Sequence, residues 1–203
     1  MVATAADIFA TRRLADVSVT TIAEQSHCST ATIYEVFGSK EGLYRAAVSR
    51  VMARLSPPAA QHQADETALF SLLDYAERRL VFLLSPARNA ADRQVIGHLD
   101  LTADLLSTII DREIVCLHHT IGTHVAACIA EGTLRVLDQD ALVFCIAAGT
   151  AHEPLTMGLF YKDAPRCDMA AILRKTFLPL VTDSGQIQLD AYFQALQARL
   201  ACG

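Results

Sequence analysis

The segment from Ser18 to Leu43, SVTTIAEQSHCSTATIYEVFGSKEGL, leaves this chain few folds to choose from. Its pattern is two short helices joined by a tight turn and followed at once by the capped start of a third. Val19–Gln25 reads as the first, with Ile22 and Ala23 inward and Ser18 placed to cap its N-terminus. The turn runs through Ser26, His27 and Cys28. Ser29 then opens a second helix whose inward face holds Ile33 and Phe37, while Thr30, Thr32 and Tyr34 lie toward the other side. This is the helix-turn-helix layout, in which the second helix lies in the DNA major groove and its N-terminal residues meet base edges. The spacing also predicts a preceding helix over Ala3–Leu14, with Phe9 packing on Ile22 and Ile33. A following helix should run from the cap Ser39 to about Leu55, ended by Pro57-Pro58.

The rest of the chain is consistent with an all-α fold. Of 203 residues, 52% are apolar, Gly and Pro are few, and no run of alternating β-branched residues suggests a strand. Residues 1–54 carry a net charge of +1 and residues 55–203 a net charge of −6, so contact with DNA would be confined to the first segment. No apolar run is long enough to span a membrane. The cysteines at 28, 116, 128, 145, 167 and 202 form no C-x-x-C pair, and reduced thiols in a cytoplasmic protein are the expectation. Cys28, in the turn, reads as a small apolar filler.

Beyond a loop at residues 56–65, helical periodicity continues. Glu66–Leu84 aligns Leu69, Leu72, Leu73, Ala76, Leu80 and Leu83, and Ser85-Pro86 ends it. Asp92–Ile110 and Asp111–Glu131 read as two further helices. The second carries Ile114, His118, Ile121, Val125 and Cys128 inward, with Gly132 as its stop. Asp140–His152 is apolar or small nearly all round, so it should be buried on most sides, and Pro154 should end or kink it. Asp168–Val181 and Leu189–Leu200 complete the set.

Chemistry-bearing constellations are sparse. His118 and His119 diverge by about 100° around a helix, and His152-Glu153 lacks a second His four residues on, so no metal site is expected. No nucleophile elbow, phosphate-binding loop or dinucleotide fingerprint appears, so neither a catalytic residue nor a cofactor is assigned. His118 reads either as a satisfied core histidine or as a donor in an apolar pocket.

The run S-x-A-T-I-Y-x-x-F-x-S-K-E-x-L, from Ser29 to Leu43, together with Ala5, Phe9 and Ile22-Ala23, resembles the N-terminal domain of the TetR family of bacterial transcriptional regulators. The resemblance covers residues 1–47, with the helix-turn-helix at about 19–38, and leaves 48–203 as a helical effector-binding and dimerisation domain. It implies a homodimer that binds a palindromic operator in double-stranded DNA and represses until a small-molecule effector releases it. By the same carry-over, Thr20, Ser29, Thr30, Ala31, Thr32 and Tyr34 face bases or phosphates, and Lys40 holds a backbone phosphate. Three features depart from the pattern: His27 replaces the usual turn Gly, Val36 replaces an aromatic residue or His, and little basic sequence precedes the first helix.

In the second half, Glu131-Gly132-x-Leu134-Arg135 resembles the turn between the seventh and eighth helices of relatives. Asp140–His152 and Asp168–Val181 would then form the dimer interface, with the Ala141, Cys145 and Gly149 stripe admitting a close helix; intramolecular packing is the other use of that stripe. The implied effector pocket has Phe70, Leu73, His98, Leu101, His118 and Phe144 as candidates. The scarcity of Lys and Arg on the inner faces points to a lipophilic ligand. A second reading stays open here: a dimeric helical ligand-sensing module with weak or lost DNA binding.

Overall fold

A computed structural model describes residues 1–55, 66–160 and 167–201; the expected loop at 56–65 lies outside them. The described residues form helices α1 (Val2–Thr11), α2 (Val19–Gln25), α3 (Thr30–Phe37), α4 (Lys40–Arg54), α5 (Ala68–Leu83), α6 (Pro86–Gly97), α7 (Leu99–Ala130), α8 (Gln139–Phe160), α9 (Met169–Phe177) and α10 (Asp183–Ala201). A short 3-10 turn at Leu14–Asp16 joins α1 to α2. The all-α class is what the periodicity predicted. The chain divides into two compact units, Met1–Ser56 with Pro86–Asp111, and Pro57–Ser85 with Arg112–Gly203.

In the first unit, helix caps set the boundaries. The hydroxyls of Ser18, Ser29 and Ser39 accept the amides of Thr21, Thr32 and Gly42 at 3.2, 3.0 and 3.0 Å. Each cap contributes about 1 kcal/mol by satisfying an orphan donor of the first turn. Ala5, Phe9, Ile22, Ile33, Leu43 and Ala47 close the core, and each larger side chain contributes roughly 1.5–3 kcal/mol on burial. Tyr44 lies fully buried between Phe9 and His98, edge-on to both at 5.1 Å. Its hydroxyl donates to the Gln94 carbonyl at 2.9 Å, which ties α4 to α6. Arg45 donates to the Leu101 carbonyl at 2.9 Å and pairs with Asp104, which ties α4 to the start of α7.

Several helix boundaries differ from the periodicity: α1 ends at Thr11 rather than Leu14, α9 at Phe177 rather than Val181, and α10 begins at Asp183 rather than Leu189. The break expected at Ile110–Asp111 falls instead between Gly97 and Leu99. There the Thr102 hydroxyl lies 2.8 Å from the Val95 carbonyl and 2.9 Å from that of His98, holding the end of α6 against α7. Nothing at Asp111 stops a helix, and α7 runs through it. Likewise α8 continues past Pro154, where proline removes one backbone hydrogen bond but leaves the other turns intact.

The second unit packs α5, the later part of α7, α8, α9 and α10 around Leu69, Leu72, Leu73, Leu80, Ile121, Val125, Leu142, Ile146, Phe177 and Leu189. The Glu131–Arg135 segment has a structural task here. The Glu131 carboxylate accepts the Ala68 amide at 3.1 Å, at the first residue of α5. Leu134 pairs with Val181 in an isolated antiparallel bridge. The Arg135 amide donates to the Leu180 carbonyl at 2.9 Å, and that of Thr182 to the Thr133 carbonyl at 3.0 Å. Gly132, the predicted stop of α7, follows the helix at φ 71°.

Candidate nucleic-acid interface

The turn between α2 and α3 is the most conformationally demanding part of the candidate interface. His27 takes φ 53°, in the left-handed region that glycine enters at no cost. The departure from Gly at this position therefore leaves the turn geometry in place at a cost in strain. Cys28 is partly buried against the first unit's core, as the filler reading has it.

Helix α3 then presents its residues in the predicted sense. Ile33 is fully buried and Phe37 packs on the core, while Ala31, Tyr34, Glu35 and Val36 are exposed. Thr20 is exposed on α2, and Thr30 and Thr32 are partly exposed. The Ser29 and Thr32 hydroxyls lie 2.9 Å apart, and Ser29 also accepts the Thr32 amide. Ser29 is thus engaged in capping α3, which leaves Ala31 and Tyr34 as the most exposed of the four candidates on that helix.

Lys40, partly exposed, is the first residue of α4, beside the cap Ser39. Helix N-termini favour anions through their unpaired amides and the aligned backbone dipoles. Glu41 shares this end; its own backbone amide, then the Ser39 hydroxyl, then the Lys40 charge hold its carboxyl below the usual range. The junction between α3 and α4 is tight, because a Cβ on Gly42 would sit 2.1 Å from the Phe37 carbonyl oxygen. That contact fixes where Lys40 stands relative to α3.

Residues 2–47 match the family model described as bacterial regulatory proteins, tetR family. Residues 2–47 are thus a TetR-type N-terminal domain. Solved structures share the fold over most of the chain. A TetR transcriptional regulator from Agrobacterium tumefaciens is 19% identical, with 93% of this chain and 96% of that one covered at a TM-score of 0.64. A TetR-family regulator from Pseudomonas syringae pv. tomato DC3000 is 18% identical, covering 89% and 94% at 0.60. A gamma-butyrolactone receptor, described as ArpA-like, is 12% identical, covering 98% and 94% at 0.54. No curated protein matches the chain.

The six effector candidates fall in different places of the chain. His98 and Leu101 belong to the first unit, His98 against Tyr44. In the second unit, Leu73 is fully buried, Phe70 lies edge-on to Tyr192 at 5.5 Å, His118 is exposed, and Phe144 is 65% exposed. Helix α7 packs through Ile121, His124, Val125 and Cys128, so the inward register holds only from Ile121 onward and His124, not His118, is the buried histidine.

His124 faces Tyr75 across 6.2 Å, and Arg79 donates to the Thr150 hydroxyl and the Ala147 carbonyl. Burial pushes the Tyr75 phenol up, and the Arg79 charge partly offsets this. These interior polar groups were not among the sequence candidates. Their signal was present: Arg79 stands four residues after Tyr75, on the same stretch of α5 as the leucine stripe. Among the described residues no three His, Cys, Asp or Glu side chains are grouped to hold a metal, and no helix is long and apolar enough to cross a membrane.

Proposed function

We propose that this chain is a sequence-specific DNA-binding transcriptional regulator, a homodimer on a palindromic operator that represses until a small lipophilic effector releases it. DNA reading is assigned to residues 1–47, through Thr20, Thr30, Ala31, Thr32 and Tyr34, with Ser29 capping the reading helix and Lys40 on phosphate. Effector binding and dimerisation are assigned to 48–203. The observation that carries this reading is α3: a capped helix, buried through Ile33 and Phe37, with its other face exposed inside a segment matched to the TetR family.

Dimerisation is supported by α8, where Ala141, Phe144, Cys145, Ala148 and His152 form an exposed stripe at helical spacing. Gly149 serves the chain's own packing, since a Cβ there would meet Thr176 of α9 at 2.6 Å. The lipophilic effector is supported by the largely apolar interior of the second unit and by a gamma-butyrolactone receptor among the proteins sharing the fold. Release follows by population shift: an effector that prefers a conformation unable to bind DNA lowers operator affinity by its differential binding energy.

The test is fluorescence anisotropy of the purified protein against DNA from its own upstream intergenic region, over a salt series, with a scrambled duplex as control. Tight binding to the native fragment, weakening linearly in log salt, is the expected result. Equal binding to both duplexes, together with recovery of no sequence from a random pool, would refute the reading. A thermal-shift screen tests the effector, and stabilisation by polyanionic metabolites alone would exclude a lipophilic one.

A further inference from the structure

The exposed face of α3 also holds Glu35 and Val36, outside the reading set of hydroxyls, Ala31 and Tyr34. At about 100° per residue, the direction opposite Ile33 and Phe37 is that of Glu35. Its side chain is exposed, and among the described residues it has neither a hydrogen bond nor an ion pair. If α3 enters a major groove with its inward face on the core, Glu35 is the residue aimed most directly at the base pairs. Eight residues make α3 about 12 Å long, close to the width of the groove, so its whole outward face lies within reach of base edges. Helical side chains lean toward the N-terminus, which brings the Glu35 carboxylate over Ala31, whose methyl leaves it room.

A carboxylate in this place carries a cost. Residues 1–54 have a net charge of only +1, and Arg45 is already paired with Asp104. Phosphates repel the Glu35 charge, and burying it against bases without a donor would strip its water for no return. One base feature resolves the conflict. In the major groove cytosine presents an N4 amino donor, which an acidic side chain accepts, whereas guanine offers two acceptors that repel it.

We propose that Glu35 is a specificity residue that accepts a hydrogen bond from the N4 amino group of one cytosine in each operator half-site. The proposal rests on the regulator reading above and adds to it a base preference and a discrimination against guanine at that position. It joins Ala31 and Tyr34, whose apolar surfaces suit thymine methyls, as the reading set of the helix.

The test uses the full-length protein and a pool of randomised duplexes, followed by anisotropy on the selected operator and its single-pair variants. The parent is expected to select a C·G pair at one position of each half-site, and replacing that pair should weaken binding about tenfold. Glu35→Gln should move the preference at that position to A·T, because an amide pairs with the adenine N6 and N7. Glu35→Ala should lose the preference, binding duplexes that lack the C·G pair at least as tightly as the parent does. Circular dichroism melts of both variants should overlay the parent, since the side chain touches nothing in the core. If both variants keep the parent's preference, or tighten binding to every duplex by the same factor, Glu35 reads no base and the proposal is overturned while the regulator reading stands. If the parent itself selects no sequence, the regulator reading fails and this proposal falls with it.

Discussion

Substituting Gly42 by alanine isolates the contact on which the α3–α4 junction depends. The added Cβ would stand 2.1 Å from the Phe37 carbonyl oxygen, a backbone atom that no rotamer change can move. A normal carbon–oxygen contact needs roughly 1 Å more, so either α3 or the first turn of α4 must shift. A shift of α4 pulls the Gly42 amide off the Ser39 hydroxyl, now 3.0 Å away, and loses a cap of about 1 kcal/mol. Displacing Phe37 adds overpacking strain of about 1–3 kcal/mol. Alanine returns up to about 1 kcal/mol as the better helix former. The net expectation is a loss of about 1–3 kcal/mol, which for a cooperative unit of 60–100 residues lowers Tm by roughly 5–20 °C. Gly97→Ala is the matched control, since a Cβ there meets nothing within 4 Å and the same unit should be unharmed. Circular dichroism melts of parent and both variants decide the matter. A Gly42→Ala protein melting within about 2 °C of the parent would falsify the argument, because the junction would then have room that the geometry denies.

Three more expectations concern the same unit. His27→Gly should stabilise it by about 0.5–1 kcal/mol in denaturant titrations, because glycine removes the left-handed strain at φ 53° but adds unfolded-state entropy; a loss of stability would contradict the strain. Burial, then the Asp100 charge, raises the Tyr44 phenol from 10.0 to about 12. Its contribution, about 3 kcal/mol at most, is therefore complete below pH 10 and fades as pH rises toward 12. Tyr44→Phe should flatten that alkaline decline, and an unchanged profile would assign it to other groups. Lys40→Ala should weaken binding to all duplexes alike and reduce the log–log salt slope by about 1, whereas an unchanged slope would remove its phosphate role.

The first unit was legible because its information is local. Ser18, Ser29 and Ser39 each announce a helix start within three residues of the amide they satisfy, and Ile22, Ile33 and Phe9 need only the helical period to be placed inward. The α6–α7 junction was not legible for the opposite reason. Thr102 holds carbonyls of α6 with a hydroxyl that periodicity treats as an ordinary inward residue, and Asp111 resembles a cap without acting as one. Periodicity over a helix of 32 residues does not say which turns meet a core, so the pattern points to His118 while the packing buries His124. On α3, the family pattern drew attention to hydroxyls and Tyr34. Glu35 needed the burial of its neighbours before its direction became meaningful.

The short bridge between Leu134 and Val181 has a topological consequence. Within the second unit, residues on either side of α8 and α9 are joined by main-chain groups: the amide of Arg135 to the carbonyl of Leu180, and that of Thr182 to the carbonyl of Thr133. Main-chain donors and acceptors are the same whatever the side chain, so this clasp survives most substitutions at its own positions. Helices α8 and α9 thus form an excursion that leaves the clasp and returns to it. Its closure entropy grows only as the logarithm of its length, at about 0.6 kcal/mol per doubling. The points where α7 ends and α10 begins therefore stay joined by main-chain groups, whatever the length of chain that α8 and α9 carry between them.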